Sequence, residues 1–192
     1  MRSWTVEPLL AHFLLADLKM RERKIHMISL QNWFSYHIWG TARQLTHLQE
    51  LPDTVWTNQI QSVFPTIQAV FEHVWLVDSS WLKRMQGEEK PGVDPIVLPD
   101  IETAKREFTD LHHQMMTYIE NVEDPAVVHS FRTMKGIQMK NSIEEMVYTV
   151  VNHGSYHRGN VTAMHRQMGF AGKPYDYIYY LEEMRESKEQ SE

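Results

Sequence analysis

With 192 residues the chain is long enough to bury one sizeable core, and too short for a second domain to be the default. Hydrophobic residues at 42% and charged ones at 23% match soluble globular proteins and exclude disordered, collagenous and membrane-spanning classes. A formal charge of −6 with dispersed Lys and Arg argues against nucleic acid or an anionic membrane as partner, and the lack of cysteine removes disulfides, thiolate ligands and a thiol nucleophile.

Any metal here must therefore use His, Asp or Glu. No window reaches the roughly 18 apolar residues of a membrane span, and the N-terminus lacks a cleavable leader, so a cytoplasmic protein is expected. Residues 1–26 hold an amphipathic stretch and then the basic run MRERKIH. Because Met27 opens a pattern that is itself a plausible start, these 26 residues are read as an appendage or an over-extended gene start. The main domain is then expected over 27–186, with a charged tail at 187–192.

From Ile28 to Glu50, apolar residues at Ile28, Leu30, Trp33, Phe34, Ile38, Leu45 and Leu48 follow helical spacing, and Pro52 ends the run. A second helix is expected over about 64–85, on the stripe Ile67, Val70, Phe71, Val74, Val77 and Trp81, with Gly87 beyond its end. The segment GEEKPGVDPIVLPD reads as a connection, after which Asp100 caps a third helix that closes before Asp124-Pro125. Two short runs flanking Lys135-Gly136 suggest a small β-hairpin. Ser142 and Glu145 form a capping-box pattern opening a fourth long helix, which stops at Gly169, and the aromatic tail predicts a short C-terminal helix. Four long helices with one core stripe each describe an all-α four-helix bundle of up-and-down type.

The fourth helix carries His153, His157 and His165. His153 and His157, four apart, share a face and suit two cis positions on one ion. His165 is eight residues beyond His157, about 12 Å of rise, and cannot join them. The stripe Ile143, Val147, Val150 continues through His157, so this imidazole takes a core position and needs a partner. His73 borders the stripe of the second helix and supplies a third donor. Three imidazoles leave positions open for water or substrate, as in catalytic metal sites. Spacing alone leaves the bland alternative standing, in which each ring hydrogen-bonds to backbone or carboxylate. His112 and His113 diverge by about 100° and cannot both face one ion. His12, His26, His37, His47, His129 and His165 read as surface or satisfied positions.

At these residues the chain resembles the DinB-like superfamily, the DinB/YfiT-type metal-binding four-helix proteins. FSYHIWGTARQL is similar to that family's opening aromatic helix, FEHVWLVDSSWLKRM to its first histidine helix, VVNHGSYHRGNVTAMHRQMG to its double-histidine signature, and DYIYYLEEM to its closing aromatic segment. The resemblance covers about Met27 to Met184. It implies an up-and-down bundle with a divalent metal on His73, His153 and His157, zinc or nickel ahead of manganese or iron. It also implies a homodimer, and in some relatives a low-molecular-weight thiol as co-substrate. His37 departs from the asparagine of many members.

Two activities follow from such a site: transfer of a metal-activated small thiol to an electrophile, with the resemblance placing this first, and hydrolysis by metal-activated water. A non-catalytic metal- or ligand-binding module and a purely structural bundle are the rivals. Around the site, Arg158 is expected to form a salt bridge to a neighbouring helix ahead of binding a substrate anion, and Tyr156 to pack. Glu72 and Asp78 are candidate acceptors for the imidazole N–H groups, and Trp33, Trp39, Trp75 and Trp81 are expected to fill core more than to line a pocket.

Overall fold

The computed structural model describes residues 28–133 and 135–190; the expectation for residues 1–26 falls outside them. Each long helix starts where a short polar side chain can satisfy an otherwise unpaired backbone N–H. Helix α1 spans Leu30–Gln49, with the Ser29 hydroxyl accepting from Asn32 N. A one-turn helix that the periodicity does not reveal, α2, spans Thr54–Thr57. Helix α3 runs over Ile67–Met85 behind an N-cap at Thr66, so Pro65 lies outside it. Helix α4, Ile101–Asn121, is capped by Asp100.

Strands β1, Val128–Arg132, and β2, Gln138–Ser142, form an antiparallel hairpin in which Val128 pairs with Ser142 and Arg132 with Gln138. Gly136 supplies the positive φ (77°) that its turn requires. Helix α5, Ile143–Gln167, opens on the complete Ser142/Glu145 capping box. Helix α6 spans Tyr177–Glu189 and so continues into the expected tail. No helix among the described residues is long and apolar enough to cross a membrane.

The four long helices form a bundle whose chain order is not a simple ring. Helix α1 packs against α4 and α5, and α3 packs against the same two, so α1 and α3 lie across a diagonal. Phe71 meets Phe108, and further along the Tyr118 hydroxyl donates to the Met85 carbonyl, so α3 and α4 run parallel. Gln44 reaches the Arg158 carbonyl and His47 meets His165, so α1 and α5 run parallel as well. The connectivity is therefore up-down-down-up, and the crossover over residues 86–100 carries the chain back to the same end. Glu72 anchors that crossover by accepting from Leu98 N at 3.0 Å, which is its role in place of the expected contact to an imidazole.

The core divides in two. One cluster gathers Phe34, Leu82, Met115, Phe131, Met146 and Val150; the other gathers Leu45, Trp56, Phe71, Phe108, Val161 and Met164. Between them every long helix contributes buried polar groups: His37, Thr41 and Gln44 from α1, Asp78 from α3, His112 from α4, His157 and Arg158 from α5. On α3 the buried positions include Ile67, Val70, Phe71, Val74, Asp78, Leu82 and Met85, so the true stripe passes through Asp78 and leaves Val77 and Trp81 at its edge. The tryptophans fill and brace: Trp33 packs on Tyr36 and Tyr177, Trp39 on Tyr180, Trp81 on Phe131, and Trp75 donates its indole N–H to the Glu107 carbonyl.

Candidate metal centre

The adjacency of α3 and α5 brings His73 onto the pair His153 and His157. His73 Nε2 lies 3.2 Å from His153 Nε2, and His157 Nε2 lies 3.0 Å from the same atom. One nitrogen from each ring falls within 4.8 Å of the others. His73 and His153 are half-buried and His157 is buried, so the cluster lies close to the surface and keeps part of two of its residues exposed. Phe64, from the segment before α3, covers the His73 and His157 rings with centroids at 5.0 and 5.5 Å. Exposed Tyr156 stands against His157 on the outer side.

Burial lowers the pKa of all three imidazoles, and for His157 the neighbouring His153 and His73 add to it, leaving it at about 4. The rings are thus neutral at pH 7 and offer lone pairs. A single N–H on His153 Nε2 can point at only one of its two neighbours, so the cluster cannot satisfy itself by hydrogen bonding. A cation resolves that conflict. Donors around a tetrahedral zinc at 2.0–2.1 Å stand about 3.3 Å apart, close to the two short separations here. The residues therefore fit a divalent metal of borderline softness. Asn160 Nδ2 lies 3.3 Å from His157 Nδ1; for Nε2 to ligate a metal Nδ1 must carry the proton, and Asn160 accepts it with its amide turned over so that the oxygen faces the ring.

Asp78 does not bond to any of these three rings. Its Oδ2 accepts from His37 Nε2 at 2.9 Å and lies 3.9 Å from His112 Nε2, forming a second group of metal-compatible side chains that is wholly buried. Arg158 Nη1 lies 3.5 Å from His37 Nδ1. Because a guanidinium only donates, Nδ1 is the acceptor and Nε2 carries the proton given to Asp78. That tautomer commits both ring nitrogens, so His37 serves as a polar bridge between a buried cation and a buried anion. Burial lowers the His37 pKa to about 4, against the pull of Asp78. For Asp78 burial acts upward, but His37 and His112 outweigh it and hold the carboxyl at about 2.

Several expectations change here. Arg158 makes no salt bridge among the described residues; it stacks over Tyr36 and donates to Ser155 Oγ. His112 turns inward while its neighbour His113 is exposed, the divergence that adjacency implies. His165 is fully buried with neither ring nitrogen partnered, so it is not a satisfied position. The sequence signal for the Asp78 cluster was the place of Asp78 four residues after Val74 in a core stripe, and of His112 four after Phe108.

The fold agrees with what the chain is similar to. "Protein DinB" of Bacillus subtilis is 34% identical over 158 residues, covering 77% of this chain and 91% of that protein. A DinB-like protein from Bacillus cereus, solved by crystallography, superposes with a TM-score of 0.59 at 21% identity, covering 76% of this chain and 93% of the other. YfiT from Bacillus subtilis, described as a probable metal-dependent hydrolase with an unusual four-helix bundle topology, gives 0.59 at 16% identity, covering 79% and 94%. The sequence model of the DinB family matches residues 26–190, nearly the whole chain, and the chain therefore belongs to the DinB family.

Proposed function

We propose that the protein is a metal-dependent enzyme acting on a small molecule, with His73, His153 and His157 holding a divalent cation, zinc or nickel ahead of manganese or iron. The observation that carries this reading is the convergence of three neutral Nε2 atoms, separated by 3.0 and 3.2 Å in the two short pairs, on residues of which two are partly exposed. When bound, the cation supplies Lewis acidity that lowers the pKa of a water or thiol. The chain's own part is to keep the imidazoles neutral by burial and to orient His157 through Asn160. Phe64 shields one flank, and the side beside Tyr156 stays open for substrate. Hydrolysis through activated water is supported by the description of YfiT.

Transfer of a low-molecular-weight thiol to an electrophile is the second reading. The family resemblance favours it, and the cysteine-free sequence leaves the thiol to come from a co-substrate. A cytoplasmic homodimer belongs to the same proposal, and sedimentation of the purified chain checks its assembly. The deciding experiment is metal analysis after dialysis, followed by turnover of ester, amide and electrophile–thiol substrate panels. Wild-type protein should retain one ion per chain, and His73→Ala, His153→Ala and His157→Ala should each lose it together with activity. Wild-type protein that takes up no zinc, nickel, manganese or iron overturns the reading; stoichiometric metal without turnover on any panel would assign the fold to a binding module.

A further inference from the structure

On the side of α5 turned away from the imidazole cluster lies a cleft of about 500 Å³, between α5, α1 and the segment 170–176. A step of about 100° per residue sets Ser155, Thr162 and Arg166 opposite His153 and His157 on the helix. The volume is in the range of small-ligand sites. Its inner wall holds Arg158, which is 4% exposed, and whose Nε is buried against Gly40 of α1 with no hydrogen-bond partner among the described residues. No carboxylate comes within ion-pair distance of this guanidinium among the described residues. The nearest compensating charge, Asp78, is separated from it by the full width of the His37 ring.

A buried cation without a direct counter-ion is expensive to hold. Two further groups on the lining point the same way. Among the described residues the Tyr175 hydroxyl is buried and unpartnered, and Arg166 at the rim is exposed and free of ion pairs. Lys173 is already neutralised by Glu50 at 2.6 Å, and Asp176 is the one carboxylate among the lining residues. The wall also includes the Tyr36 ring, Pro174 and the bare backbone of Gly159, surfaces suited to the body of an organic molecule and not to a lone hydrated ion.

We propose that this cleft binds a small organic anion, its carboxylate or phosphate group countering Arg158 and hydrogen-bonding to Tyr175, with Arg166 drawing it in from the rim. The site stands apart from the imidazoles and does not need the metal.

Gly159 gives a clean way to close it. A Cβ built there meets nothing within 4 Å, so Gly159→Leu adds bulk to the cleft wall from a position with open space around its first atom, and replacing glycine inside a helix favours folding. Full-length protein is titrated calorimetrically with succinate and, separately, inorganic phosphate at fixed ionic strength, once loaded with zinc and once treated with chelator. Saturable binding of either anion, equal in both forms, is expected; which anion binds tells carboxylate from phosphate ligands. Gly159→Leu should melt no lower than wild type and lose the binding. Arg166→Gln should weaken it roughly threefold and Arg158→Gln roughly tenfold or more, the scale of one charge-assisted hydrogen bond. No saturable binding of either anion, binding that requires zinc, or binding retained in folded Gly159→Leu would each overturn the proposal.

Discussion

Replacing Asp78 by alanine tests the buried polar layer directly. In the folded protein this carboxylate is the acceptor for His37 and the one buried anion near Arg158, and both Asp78 and His37 are 0% exposed. Its removal strands the His37 N–H and leaves the guanidinium uncompensated. Breaking one side of a buried charge system costs about 3–5 kcal/mol. A domain of this size loses about 2–4 °C of melting temperature per kcal/mol, so the melt should fall by roughly 6–20 °C. Asp78→Asn keeps an acceptor and drops the charge, and it should land between wild type and alanine.

Acid adds a second signature. The Asp78 carboxyl is held at about 2 against an ordinary value of 3.8. Its linkage contribution, about 2 kcal/mol, is therefore fully present above pH 3.8 and lost as the pH falls through 2. Asp78 also pulls the His37 pKa upward, and the variant loses that support in the same range, so the gap between wild type and Asp78→Ala should be flat from pH 7 to pH 5 and is set by both groups together below that. Circular dichroism melts and urea titrations of the full-length proteins across that range measure both effects. An Asp78→Ala variant melting within about 2 °C of wild type at pH 7 would refute the view that this carboxylate compensates Arg158.

Further outcomes follow from the same layer. A Cβ on Gly154 would lie 2.3 Å from His37 Cε1, so Gly154→Ala must displace that ring; a loss of about 1–3 kcal/mol in denaturant titration is expected, while Gly159→Ala should be neutral or stabilising. Burial, with His47 nearby, lowers the His165 pKa to about 4. The unfolded chain takes up that proton below about pH 6.5 and the native state resists it, so stability is lost as pH falls from 6.5 towards 4. His165→Leu should gain on wild type by up to about 2 kcal/mol between pH 7 and pH 5; identical pH slopes for the two proteins would contradict this.

How much was legible in the sequence differs from element to element. The long helices were readable because a 3.6-residue apolar repeat and a capping side chain are local properties. Ser142 with Glu145, and Asp100 before α4, mark helix starts that the structure places within a residue or two. The pair His153 and His157 was equally local, since four residues on one helix can only share a face. The α2 turn escaped because four residues carry no period. Asp78 was read as an acceptor for the metal-side imidazoles and His112 as a ring diverging from His113; only their packing against His37 shows the buried cluster they form.

What the chain by itself determined is therefore the set of long helices, most of their buried faces and the shared face of His153 and His157. His73 was a candidate from its own stripe and from the family resemblance, but its approach to that pair, like the polar layer, belongs to the tertiary structure. In a simple up-and-down ring the second and fourth long helices face each other across the diagonal; here the 86–100 crossover makes α3 and α4 parallel and sets α3 beside α5. That neighbour relation closes His73 onto His153 at 3.2 Å and lines up His37, Asp78 and Arg158 at one level of the core. Helical periodicity is a rule about neighbours along one chain segment. Which helices touch is settled by burial summed over the whole bundle, a quantity that no single segment contains.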